Sequence, residues 1–212
     1  MKHEANSQAL LSPVAVPLYK LKAALELIKT VDKLRPYINC LRVEVKDEDA
    51  LLIATNGHAL LAQSEALGTN GGRGSFEIPG QILDLLPKLT EGSRNELFHL
   101  SPTTVRGPVL NFGWEPTKGH EYPNWRRVIP SDDYENSVAK FDPKYALLFN
   151  KISKILQARS CHIHPNCEPN PALVTFDRAP EAFGVIMPMK MGDFPTKKPF
   201  PIWEHEAEEV VA

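Results

Sequence analysis

The order strand, helix, three strands recurs three times along this chain, and that recurrence limits the folds open to it. In the first pass Val14-Ala15-Val16 is a short strand closed by Pro17. Leu21, Ala24, Leu25, Ile28 and Val31 then repeat at three- and four-residue spacing, which predicts a helix over 18–34 stopped by Pro36. Residues 40–45 alternate as a strand, and Asp47-Glu48-Asp49 makes an acidic turn. Leu51-Leu52-Ile53 and 59–63 then flank Asn56-Gly57, two residues that tolerate positive φ and so mark a hairpin. The second pass has a strand at 75–78, Pro79 at a helix start, and a helix over 81–89 burying Ile82, Leu85, Leu86 and Leu89. Strands follow at 96–100, 103–106 and 109–114. The third pass has Ala139-Lys140-Phe141 as a strand and Asp142-Pro143 as an N-cap with proline at the first helical position. Its helix buries Tyr145, Leu148, Phe149, Ile152, Ile155 and Leu156, and strands follow at 161–164, 172–176 and 183–189. An amphipathic helix needs a sheet to cover its apolar face. The expected class is α+β, three βαβββ units with helices packed on one face of antiparallel sheets.

Charge and composition narrow the function. A net charge of −2 gives no global basic field, so a DNA-binding surface would have to be local. No apolar run reaches the length of a membrane span, and the N-terminus lacks the basic-then-apolar order of a signal peptide. Three cysteines define no disulfide framework, so a reducing cytoplasm is the expected location and no membrane partner is expected. Residues 68–74 read as a glycine-rich linker; they lack the context and the Lys-Ser/Thr of a phosphate loop. No nucleophile elbow, HExxH motif or clustered acid pair is present, so no enzyme activity and no cofactor are expected. Cys161-His162-Ile163-His164-Pro165-Asn166-Cys167 is rich in ligand types but meets no standard zinc spacing. It reads as a buried cysteine with surface histidines.

Three stretches carry a resemblance: Thr55-Asn56-Gly57-His58, Pro123 to Pro130 with Trp125-Arg126-Arg127-Val128 inside it, and Met187-Pro188-Met189-Lys190-Met191. In this order, each beside the expected strand or helix, they resemble the groove-forming segments of the bacterial sliding clamp, the β subunit of DNA polymerase III. Residues 14–130 resemble the clamp's whole middle domain of two units. Residues 131–191 resemble the second half of its last domain. Residues 1–13 read as an N-terminal arm and 192–212 as an extended tail. Two departures stand out: Asn56 replaces the family's acid, and Ala59 stands where the family has arginine.

The resemblance implies a peptide-binding groove lined by Thr55, Gly57, His58, Leu60, Pro123, Val128, Val185, Met187, Pro188 and Met189. Methionine offers the adaptable apolar surface that such a groove needs. It also implies that Lys22, Lys29 and Lys33 on the first helix and Lys144, Lys151 and Lys154 on the third face duplex DNA. The implied partners are duplex DNA, clamp-binding peptides of polymerase or repair proteins, and further copies of this chain as a dimer or tetramer. The alternative is a clamp fragment that binds client peptides without DNA and so modulates a host clamp.

Overall fold

The computed structural model describes residues 11–69, 71–116, 121–130, 141–166 and 170–189. The extended tail at 192–212, most of the 1–13 arm, Cys167, and the strand expected at 139–141 apart from Phe141 lie outside them.

The described residues form two antiparallel sheets with the helices against them. The strands are β1 (Val14–Pro17), β2 (Cys40–Lys46), β3 (Asp49–Thr55), β4 (Ala59–Ala66), β5 (Arg73–Pro79), β6 (Leu97–Leu100), β7 (Thr104–Arg106), β8 (Asn111–Gly113), β9 (Cys161–His164), β10 (Ala172–Phe176) and β11 (Ala182–Ile186). One sheet runs β1-β6-β7-β8 and the other β5-β2-β3-β4-β11-β10-β9. The first two units exchange their leading strands. β1 pairs with β6 of the second unit, and β5 pairs with β2 of the first. The third unit joins through β11, which pairs with β4 from Ala59↔Ile186 to Gln63↔Ala182. The α+β, clamp-like class expected from the repeat is the observed one.

The helices are α1 (Leu18–Ile28), α2 (Gly80–Asp84) and α3 (Pro143–Ile155), and α1 packs against both others. Alternation along the strands divides the chain between two cores. Leu52, Ala54, Ala59 and Leu61 point to the main core shared with Leu21, Leu25, Ile28 and Phe149. Their neighbours Ile53, Leu60 and Ala62 form a second, smaller core on the other side of the sheet.

Several element boundaries differ from expectation. α1 ends at Ile28 rather than 34: Thr30 Oγ1 donates to the Leu27 carbonyl at 2.7 Å, and Asp32 Oδ1 accepts from the Leu34 N–H at 2.9 Å. These side chains favour a turn over continued helix, so Lys33 lies beyond the helix. α2 is five residues long. Pro87 disfavours helical geometry at Leu86, and Leu83 is buried where Leu85 was expected, leaving Leu85 exposed. β5 begins at Arg73, shortening the glycine-rich connection, and β8 keeps only three residues. α3 starts as its sequence dictates: Asp142 Oδ1 accepts from the Lys144 N–H at 2.9 Å ahead of Pro143.

Candidate peptide-binding groove

The groove is built around the β3–β4 turn. Thr55 Oγ1 donates to the Ala59 carbonyl at 2.8 Å and accepts from the Gly57 N–H at 3.1 Å. Asn56 is buried; its Oδ1 accepts from the His58 and Ala59 N–H groups at 2.9 and 2.7 Å. Its Nδ2 donates to Thr30 Oγ1 at 2.7 Å, tying the turn to the end of α1. An aspartate could not make that last bond, because the Thr30 hydroxyl proton is already given to Leu27. Gly57 has φ +85°, a left-handed conformation that favours glycine, and the end of the Arg35 side chain lies against it where a Cβ would otherwise sit. The Met187 N–H donates to the His58 carbonyl at 2.8 Å, which brings the end of β11 beside the turn.

The opposite wall is residues 121–130, held to β2 and β3 by polar contacts. Tyr122 Oη donates to the Ile53 carbonyl at 3.3 Å. Glu44 is the anchor: Oε1 accepts from Trp125 Nε1 at 3.1 Å and Arg42 Nε at 2.9 Å, and Oε2 from Arg126 Nη2 at 2.6 Å. Arg42 also pairs with Glu77 and donates to Ser75 Oγ at 2.9 Å. Burial alone would raise the Glu44 carboxyl, but hydrogen bonds from Arg126, Arg42 and Trp125 outweigh it and hold the carboxyl at about 2. Burial pushes the Tyr122 phenol upward, so it stays a neutral donor. Trp125 then packs with Ile53, Leu60, Ala62 and Val185, with Val128 and Tyr122 against them.

Between these walls lies an apolar cleft of about 160 Å³. Seven of the ten expected residues line it: Thr55, Gly57, Leu60, Pro123, Val128, Val185 and Met187. The other three sit beside it. The His58 ring stacks on Tyr145 with centroids 6.2 Å apart, Pro188 is half-buried, and Met189 is exposed. Six lining residues were not anticipated: Arg35, Tyr37, Ile38, Ala59, Asn124 and Trp125. Pro36–Ile38 form a 3-10 turn after α1, which reads in the sequence only as a helix stop. Arg35 brings a positive charge to the cleft lining, with its guanidinium against Gly57.

The lysine set is brought together less well. Lys22 is half-buried and donates to the Leu86 carbonyl at 3.0 Å; burial and the nearby Lys29 lower its pKa. Lys29 pairs with Glu26 at 3.4 Å, and Lys144 with Asp142 at 2.8 Å. Lys33 is exposed but off the helix. Lys151 and Lys154 are exposed on α3. In the Cys161–His164 strand, burial raises the Cys161 thiol, and His164 Nε2 lies 2.9 Å from Thr175 Oγ1. Among the described residues no three His, Cys, Asp or Glu side chains converge as metal ligands.

No family model and no curated protein matches this chain. Solved structures do. The chain superposes on the DNA polymerase sliding clamp of Bacillus subtilis with a TM-score of 0.64 at 17% identity, covering 89% of this chain and 68% of that one. The Pseudomonas aeruginosa clamp, solved with a ligand, gives 0.64 at 15% identity over 88% and 68%. A putative DNA polymerase III β subunit from Eubacterium rectale gives 0.63 at 11% identity over 86% and 66%. The fold is therefore that of a DNA sliding clamp, and this chain spans about two thirds of such a clamp's length. No helix among the described residues is long and apolar enough to cross a membrane.

Proposed function

We propose that this protein is a non-catalytic, clamp-type accessory factor of DNA replication or repair. It presents the cleft between the β3–β4 turn and residues 121–128 to short apolar peptides of client proteins. One observation carries this reading: segments more than a hundred residues apart converge on a single apolar cleft, with Thr55, Leu60, Val128, Val185 and Met187 lining it. Such a cleft suits leucine or phenylalanine anchors, with Arg35 available to a carbonyl or carboxylate of the peptide. In this reading 14–130 is a complete clamp domain and 131–191 half of another. Copies of the chain associate and hold duplex DNA, with Lys22, Lys29, Lys33, Lys144, Lys151 and Lys154 on the DNA side.

A second reading, a client-binding module that does not hold DNA, is favoured by the state of those lysines. Three of the six are engaged within the protein, by Leu86, Glu26 and Asp142. Fluorescence anisotropy separates the two. A labelled peptide with Leu and Phe anchors should bind saturably, and an unlabelled copy should displace it. A labelled duplex titrated in parallel should bind with an affinity that falls steeply as salt rises. Peptide binding without duplex binding selects the second reading; no peptide binding removes both.

A further inference from the structure

Asn56 and Gly57, at the tip of the cleft-forming turn, are also a chemically labile pair. A glycine nitrogen is unhindered enough to attack the side-chain amide carbon of a preceding asparagine and close a five-membered succinimide. The turn supplies what that attack needs. Negative charge develops on Asn56 Oδ1, and this atom already accepts the His58 and Ala59 N–H groups at 2.9 and 2.7 Å. Two backbone donors on a reacting carbonyl oxygen act as an oxyanion hole, here aimed at the protein's own side chain. The attacking Gly57 N–H donates to Thr55 Oγ1 at 3.1 Å, so its proton faces an acceptor. Asn56 is buried, which strengthens these dipoles, while Gly57 and His58 are exposed, which admits water and base.

Thr30 opposes the step. Asn56 Nδ2, the leaving nitrogen, donates to Thr30 Oγ1 at 2.7 Å. The Thr30 hydroxyl proton is given to the Leu27 carbonyl, so Thr30 accepts from the departing amide and cannot protonate it. The bond anchors the group that must leave.

We propose that this turn modifies itself, ageing the cleft through a succinimide at Asn56, with Thr30 setting the rate. The Gly57 nitrogen bonds to Asn56 Cγ, the Cγ–Nδ2 bond breaks, and the Gly57 proton leaves with Nδ2 as ammonia. Water, the only co-reactant, then opens the ring at either carbonyl, and nothing is oxidised or reduced. Opening at Cγ gives aspartate on an unchanged backbone, which loses the donor to Thr30. Opening at the backbone carbonyl gives isoaspartate, with the chain running through Cγ and one carbon longer. That carbon falls between Thr55 and His58, whose bonds fix the turn to Ala59 and Met187. The isoaspartate product therefore loses the cleft wall. The covalent step is independent of the peptide reading; only its effect on peptide affinity rests on that reading.

The test is peptide mapping by tandem mass spectrometry on the full chain, held folded in mildly alkaline buffer. Asn70→Gln is the background, because Asn70-Gly71 is the chain's other Asn-Gly pair. Aspartate and isoaspartate should accumulate at residue 56. Thr30→Val, which keeps the side-chain shape and removes the acceptor, should speed conversion several-fold, and Thr30→Ser should restore the slower rate. Thermal melts establish that each variant is folded in the assay. Asn56 left intact after a free peptide of residues 54–60 has fully converted overturns the proposal. Equal rates in the parent and Thr30→Val overturn the role of Thr30. The isoaspartate form, separated by ion exchange, should bind labelled peptide weaker by roughly tenfold or more, the loss expected when a bond that fixes the turn is broken; undiminished binding overturns the ageing of the cleft. Failure of unconverted protein to bind peptide counts against the proposed function and leaves the covalent step standing.

Discussion

The cleft and the lysine-bearing helix faces are two candidate surfaces of one chain, and they are constructed differently. The cleft is a product of distant contacts. Glu44 reaches Trp125 and Arg126, Asn56 reaches Thr30, and Met187 reaches His58. Each of these bonds fixes a cleft-forming segment, so the shape exists before any peptide arrives, which lowers the ordering cost of binding. The lysine faces owe little to such contacts. Lys29 and Lys144 close on acids three and two residues away, and Lys22 turns to Leu86. Pre-organisation makes the cleft the better-built of the two candidate surfaces, and local pairing leaves Lys33, Lys151 and Lys154 as the three of the six lysines most open to solvent.

The contrast can be broken where it is strongest. Glu44→Gln removes the charge that holds Arg42, Arg126 and Trp125, and should cost about 2–3 kcal/mol of stability by chemical denaturation, with weaker peptide binding. The pH dependence follows from the depressed carboxyl. Its contribution is fully present above the unfolded value near 4.5 and is lost as pH falls toward about 2. Wild type should therefore lose this stability across that window, and Glu44→Gln should lack that component. Equal acid sensitivity in the two proteins would break the claim that Glu44 anchors the wall.

Asn56→Asp sharpens the comparison at the turn. It keeps the two accepted N–H bonds and loses the donor to Thr30, with an expected loss of about 1–2 kcal/mol. An unchanged melting temperature would mean that the tie to α1 is dispensable. The smallest stability effect belongs to the lysines. Lys151→Ala with Lys154→Ala should change stability by less than about 0.5 kcal/mol, yet should reduce the salt slope of duplex binding by roughly two per chain. Lys22→Ala should lower stability slightly and move the slope least of the six, because its amine is turned to the Leu86 carbonyl.

Much of this fold was legible because it rests on local rules. Asp142-Pro143 announces the start of α3, and the alternation over 161–164 and 172–176 gives β9 and β10 with their observed bounds. The Asn-Gly turn lies where its backbone preference puts it. Helix ends were less legible, because Thr30 and Asp32 side chains compete with the backbone at the end of α1 and apolar spacing alone does not register that competition. The cleft was half legible. Its resemblance-bearing segments are contiguous in sequence, but Arg35, Tyr37 and Ile38 enter through a turn whose position depends on tertiary packing. Glu44 reads as an ordinary outward residue of an alternating strand. Its role appears only when residues 121–130 fold across the sheet.

The central claim is that the cleft binds an apolar peptide, and Met187 tests it most directly because it lines the cleft beside the turn without being part of the buried core. Isothermal titration of a Leu- and Phe-anchored peptide should give one site per chain for wild type. For Met187→Asp the affinity should fall by roughly a hundredfold or more, since an unpaired carboxylate in an apolar pocket costs about 3 kcal/mol or more. Equal affinity for the two proteins would contradict the account.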